Sequence, residues 1–207
     1  MKEKPILFNA AMVRAVLDGR KTQTRRVIKP QPQHDAILLS HLACTAQDGV
    51  FEFWGDSDYS TERVACPYGA SGDRLWVRET FAHLGCYRYR ATETEGVLRR
   101  CTWKPSIHMP RCASRINLEV VGVRVERVQD ISDGDALAEG IMSTDFWGKV
   151  TGDMLPDDNE EKAWEEYPRQ AFRLLWDSIN AKPRKDGTDI SWTANPWVWV
   201  VEFRRLK

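Results

Sequence analysis

The chain has 207 residues, 42% of them hydrophobic, and its 30 basic residues balance 30 acidic ones. That length and apolar content fit one large domain or two small ones with a real core. No apolar run is long enough to span a bilayer, the N-terminus lacks the apolar stretch of a signal peptide, and five cysteines at irregular spacing argue against a disulfide framework, so a soluble cytoplasmic protein is expected.

In chain order, Pro5–Phe8 is a short apolar run that reads as a first strand. Asn9 can cap a helix on which Met12, Val13, Val16 and Leu17 recur at helical spacing, and Gly19 stands where helices end in a left-handed residue. The chain then emits Arg20, Lys21, Thr22, Gln23, Thr24, Arg25 and Arg26. Between Arg14 and Lys29 there are six Lys/Arg and one acid, a local charge of +5 on a neutral protein. Such a spot attracts anions, phosphate foremost. A solvated basic turn is the plainer assignment, but the interleaved Thr and Gln can donate and accept hydrogen bonds.

After a proline-rich turn at 29–32, Val50–Trp54 reads as one strand of a hairpin with a turn at 55–58. Arg74–Glu79 alternates cleanly, with Leu75 and Val77 on one face and Arg74, Trp76 and Arg78 on the other. That polar face can stack bases and pair phosphates, or it can be a structural Trp flanked by solubilising arginines. Tyr87–Ala91 is another candidate strand. The longest strand signal is Ile116–Val128, where the apolar phase flips at Val120-Val121-Gly122. One extra residue at a glycine is the mark of a β-bulge, which bends a strand as barrels require. Ser132 with Asp135 forms a capping box for a short helix at 136–139 that Gly140 ends. Residues 153–166 carry seven acids and one Lys and read as a solvated insertion. Pro168 starts a helix to Asn180 with Phe172, Leu175, Trp176 and Ile179 on one face. Pro196–Arg205 closes the chain as a strand with Trp197, Trp199, Val201 and Phe203 together. Irregular strands, a bulge and short helices predict an α+β fold, a small bent barrel with helical decoration.

These segments resemble a known family. Asp18–Arg26 is similar to the helix-to-turn signature of ASCH-domain proteins. Gly72-Asp73-Arg74-Leu75-Trp76-Val77, Ala138-Glu139-Gly140 and Val198–Phe203 resemble their later motifs in the right order. The resemblance implies a single domain with a PUA-like bent β-barrel, peripheral helices and insertions at about 29–70, 80–112 and 141–195. The long form resembles proteins carried by phages and prophages. One small bacterial member removes the acetyl group from acetylated cytidine with a Lys, a Thr and a Glu, which match Lys21, Thr24 and Glu139 here. The resemblance therefore implies a nucleoside- or RNA-directed hydrolase; the charge of the turn adds Arg20, Thr22, Arg25 and Arg26, expected at the rim of the cleft, and the polar strand face adds Arg74, Trp76 and Arg78, as substrate- or phosphate-binding candidates. The alternatives are a non-catalytic RNA- or nucleotide-binding phage regulatory module, a metal-independent ribonuclease, and an interaction protein that uses the acidic insertion.

The residue types suit amide hydrolysis. A Lys amine has a free pKa of about 10.4, and burial and neighbouring cations both push it down. A Glu can relay protons and a Thr can hold a carbonyl or a water. For Lys21 and Thr24 to share a pocket, Lys21 must lie in the turn, with the strand starting near Thr22 or Gln23. No cofactor and no metal are expected: Cys101, His108 and Cys112 fit no zinc spacing, and no phosphate-binding or dinucleotide fingerprint occurs.

Overall fold

The computed structural model describes residues 1–32, 49–54, 61–141, 168–182 and 186–206. The turn expected at 55–58 and the acidic stretch at 153–166 lie outside them. The fold is α+β. The described residues hold nine strands, β1 (Glu3–Leu7), β2 (Gln23–Val27), β3 (Val50–Trp54), β4 (Thr61–Ala65), β5 (Arg74–Arg78), β6 (Phe81–His83), β7 (Tyr87–Tyr89), β8 (Asn117–Arg127) and β9 (Trp197–Arg205). The helices are α1 (Ala10–Leu17), α2 (Glu95–Leu98), α3 (Asp133–Ala138) and α4 (Pro168–Asn180).

Five strands form one sheet in the order β1-β5-β8-β9-β2, with β3–β4 and β6–β7 as separate hairpins. Within the described residues this sheet has two edges, β1 and β2, and is not closed into a barrel. Helix α1 links the two edges in sequence and sends Val13 and Val16 into the core. A single side-chain bond, from Arg26 Nη2 to the Leu7 carbonyl at 2.7 Å, joins β2 to β1 where a barrel would have a backbone ladder.

The bulge explains why β8 reads in two phases. The β8–β9 register shifts between Val120 and Gly122. Leu118 and Val120 before the shift, and Val123 and Val125 after it, therefore enter the same buried cluster. Val121 is the extra residue, and it is 52% exposed. Without the bulge, a period of two would send the second pair to the opposite face.

Strand β9 is buried on both faces, more than its one-sided aromatic pattern predicts. Trp197, Trp199, Val201 and Phe203 join the cluster with α1, whereas Val198 and Val200 join a second cluster with Ala136, Phe172, Trp176 and Trp192. Segments expected to be insertions, at 29–70 and 141–195, are integral to this packing where they are described. Phe51 and Phe53 of β3 meet Trp199 and Trp197 at ring-centroid distances of 5.1 and 5.9 Å. Helix α4 supplies the wall opposite β2. Its face is less uniform than the spacing predicts: Phe172 and Trp176 are buried, but Ile179 is 56% exposed.

Candidate active site

The site is built from the end of α1, the turn after it, β2 and the end of α3. Asn9 caps α1 by accepting from the Met12 amide at 2.9 Å, and Gly19 takes a φ of +76° that ends the helix. The amides of Arg20 and Lys21 then both donate to the Ala15 carbonyl, at 2.9 and 3.0 Å. Lys21 thus lies in the turn, and the strand begins at Gln23. Thr22 is exposed in its side chain but ties two elements through its backbone: its amide donates to Ala138 at 2.9 Å and its carbonyl accepts from Phe203 at 2.8 Å.

From the other side, Ser132 caps α3 by accepting from the Asp135 amide at 3.1 Å, and Gly140 ends it with a φ of +80°. A Cβ on Gly140 would lie 2.8 Å from Ala15 Cβ and 2.9 Å from Lys21 Cβ. That close approach seats the end of α3 on the turn.

Lys21 and Glu139 meet there. Lys21 Nζ donates to Glu139 Oε2 at 2.7 Å and to the Glu139 carbonyl at 2.9 Å. Their side chains are only 1% and 4% exposed. Burial pushes the Lys21 ammonium below its ordinary value; the Glu139 carboxylate opposes this, and Arg25 and Arg26 add to it. The two acceptors account for both N–H groups of a neutral amine, whereas an ammonium has three.

Arg25 is buried rather than at a rim. Its Nη2 donates to Glu126 Oε2 at 2.8 Å and to Asp135 Oδ2 at 2.9 Å, and its Nη1 stands 3.5 Å from Glu139 Oε1. Arg124 adds a second cation to Asp135 at 2.8 Å and also pairs with Glu126 and Glu202. Gln23 Nε2 donates to the Asp135 carbonyl at 2.9 Å. Burial raises the Asp135 carboxyl, but the Arg25 hydrogen bond and the Arg124 charge outweigh it, and the net direction is down.

A cavity of about 190 Å³ opens between β2 and α4. Thr24, Arg25, Arg26 and Glu139 line it on one side, and Phe172, Leu175, Trp176 and Asn180 on the other. Met12, Val27, Lys29, Tyr68 and Ile179 complete its wall. Thr24 Oγ1, Glu139 Oε1 and Arg25 Nη1 are buried and have no hydrogen-bond partner within the described protein. Buried polar groups are nearly always satisfied; here Glu139 Oε1 and Arg25 Nη1 have only each other, at 3.5 Å, and Thr24 Oγ1 has no partner, so the cavity offers a place for a polar ligand. Lys21 does not line the cavity; it stands behind Glu139.

The remaining expected residues lie elsewhere. Arg20 pairs with Asp18 at 2.9 Å on the surface. Arg74, Trp76 and Arg78 are on the outer face of β5, and none of them lines the cavity. Among the described residues no group of His, Cys, Asp or Glu is placed to hold a metal, and no helix is long and apolar enough to cross a membrane.

The turn's charge reads differently once folded. Glu126, Asp135 and Glu139, all distant in sequence, pair with Lys21 and Arg25, so part of the local excess is neutralised by acids from β8 and from α3 and its end. Sequence reasoning named Glu139 but missed Glu126 and the pairing of Asp135, the α4 wall and Tyr68. The helical spacing of apolar residues on α4 was the one available signal, because half-buried Leu175 and exposed Ile179 face the cavity. Comparison with protein-family models, curated proteins and solved structures gives no match.

Proposed function

We propose that the chain is an ASCH-type, PUA-like protein that hydrolyses an amide on a modified nucleobase, most simply an acylated cytidine, free or in RNA. The observation that carries this reading is the buried Lys21–Glu139 pair at 2.7 Å, with Glu139 Oε1 and Thr24 Oγ1 left unsatisfied at the cavity. Aromatic walls from Phe172, Trp176 and Tyr68 suit a flat base.

In this mechanism Glu139 Oε1 accepts a proton from a water that adds to the acyl carbon. Thr24 and Arg25 Nη1 donate hydrogen bonds to the carbonyl oxygen as it becomes an oxyanion. The tetrahedral adduct collapses with loss of the C–N bond. Glu139 returns the proton to the leaving base nitrogen, giving a carboxylic acid and the free exocyclic amine. Lys21 acts through Glu139: it holds Oε2 and so positions the carboxylate at the cavity.

The binding-module alternative draws on Arg26 and Lys29, cations at the cavity that have no carboxylate partner among the described residues. Incubation of purified protein with acetylcytidine and with bulk RNA under metal-free conditions, read by mass spectrometry, separates the readings. Release of cytidine that is lost in Glu139→Gln supports the amidohydrolase. Shortened RNA with intact acetylcytidine supports a ribonuclease, and RNA retained without either change supports a binding module.

A further inference from the structure

A second surface, remote from the cavity, has its own charge and aromatic character. Residues 80–115 hold seven of the 30 Lys/Arg but only two of the 30 acids, so this stretch is +5 and the rest of the chain −5. It folds as the β6–β7 hairpin, α2 and the segment to Arg115. An open groove of about 650 Å³ runs along it, lined by Phe81, His83, Tyr87, Lys104, His108 and Pro110. None of these residues lines the cavity at Glu139.

The groove joins aromatic faces to positive charge. His83 and Tyr87 meet edge to face, with ring centroids 4.9 Å apart at 62°. His83 and Lys104 are exposed, and Lys104 has no carboxylate partner among the described residues. Strand pairing fixes the arrangement: Phe81 lies opposite Tyr89 in the hairpin and bridges Lys104 on its other side. Arg111, next to Pro110, stacks over Trp76 at 5.8 Å, and Arg78 does so at 5.5 Å. The arginine-flanked Trp of β5 therefore adjoins the groove rather than the cavity.

We propose that this groove binds single-stranded nucleic acid, with bases stacked on His83 and Tyr87 and the backbone neutralised by Lys104; Arg111, beside the groove, is paired with the half-exposed Glu3 at 3.1 Å and joins only where a phosphate displaces that carboxylate. Stacking faces beside an available cation are how single strands are held without reading sequence. A duplex keeps its bases inside and offers no face to the rings. The site is independent of the chemistry at Glu139.

Fluorescence anisotropy with a labelled oligouridylate of about 12 nucleotides tests this. Wild-type protein should bind at low salt and weaken steeply as salt rises from about 50 to 200 mM. Lys104→Glu should weaken binding at least about tenfold, and Tyr87→Ala at least about fivefold. Tyr87→Phe should keep the affinity, which separates stacking from the Tyr87 hydroxyl contact with Cys112 at 3.6 Å. Glu139→Gln should bind like wild type, so failure of the hydrolase reading leaves this result intact. A single-stranded DNA of matching sequence should show the same variant dependence. The proposal is overturned if wild type does not bind at low salt, if folded Lys104→Glu binds unchanged, or if a duplex binds as tightly as the single strand.

Discussion

Lys21 and Glu139, 118 residues apart in sequence, form an ion pair of 2.7 Å whose two side chains are almost fully buried. The pair joins the turn after α1 to the end of α3, and it places the carboxylate at the cavity. Removing one partner strands a buried charge. Lys21→Met or Glu139→Gln should each cost about 3–5 kcal/mol of unfolding free energy. Lys21→Met combined with Glu139→Gln should cost clearly less than the two single losses together. Denaturant unfolding of the four proteins checks this; strict additivity contradicts the coupling.

Lys21→Arg probes the protonation state. A guanidinium stays charged and carries a planar fork that the Lys pocket does not accommodate. If Lys21 serves as a neutral proton partner of Glu139, Arg should lower kcat as far as Ala does, on the order of 100-fold or more. The alkaline limb of the pH profile should change with it. Retained kcat in Lys21→Arg with an unchanged profile would assign Lys21 a purely electrostatic role.

Asp135 predicts an acid-side effect. Its carboxyl is lowered despite burial, through Arg25 and Arg124. A depressed carboxyl contributes stability above its unfolded value, about 3.9, and loses it as pH falls through the lower folded value. Asp135→Asn should therefore be less stable than wild type at pH 7, by about 1 kcal/mol after solvent screening. The gap should close in acid below the folded value. Thermal melts across that range test the sign.

Gly140→Ala should be among the more damaging single-methyl changes. The residue sits at a φ of +80°, and the new Cβ would approach Ala15 and Lys21 to under 3 Å. The left-handed backbone alone costs about 1–2 kcal/mol. The displaced turn should lower activity as well as Tm; a variant with unchanged Tm would contradict the close seating.

Cys66 should be a slow thiol. Burial pushes its pKa up to about 11, and it lies in the core cluster. At pH 8 its alkylation should run more than about 100-fold slower than that of exposed Cys86 in the folded protein, and equalise on unfolding. Mass-resolved labelling reads both rates.

Much of the framework was legible because it rests on local physics. Asn9, Gly19, Ser132 and Gly140 each cap or end a helix by side-chain or left-handed geometry that acts within four residues. The phase flip at Val121 announced the bulge because strand period is two. The strand does start after Lys21, at Gln23, but the shared pocket that motivated this is not formed: Thr24 lines the cavity and Lys21 stands behind Glu139. What stayed hidden depends on long-range encounter. Nothing near Arg25 in sequence shows that Glu126, Asp135 and Glu139 will surround it, so an exposed rim cation became a buried one. Closure of the sheet was equally out of reach, because β1 and β2 each have a ladder on one side only and meet through Arg26.

The most direct measurement is the rate of cytidine release from acetylcytidine by metal-free protein, with Thr24→Val and Glu139→Gln alongside. The account predicts turnover by wild type, a fall on the order of 100-fold or more in both variants, and unchanged ligand binding by the folded variants. Acetylcytidine that stays intact in the presence of wild-type protein, or is cleaved equally by Glu139→Gln, would contradict it.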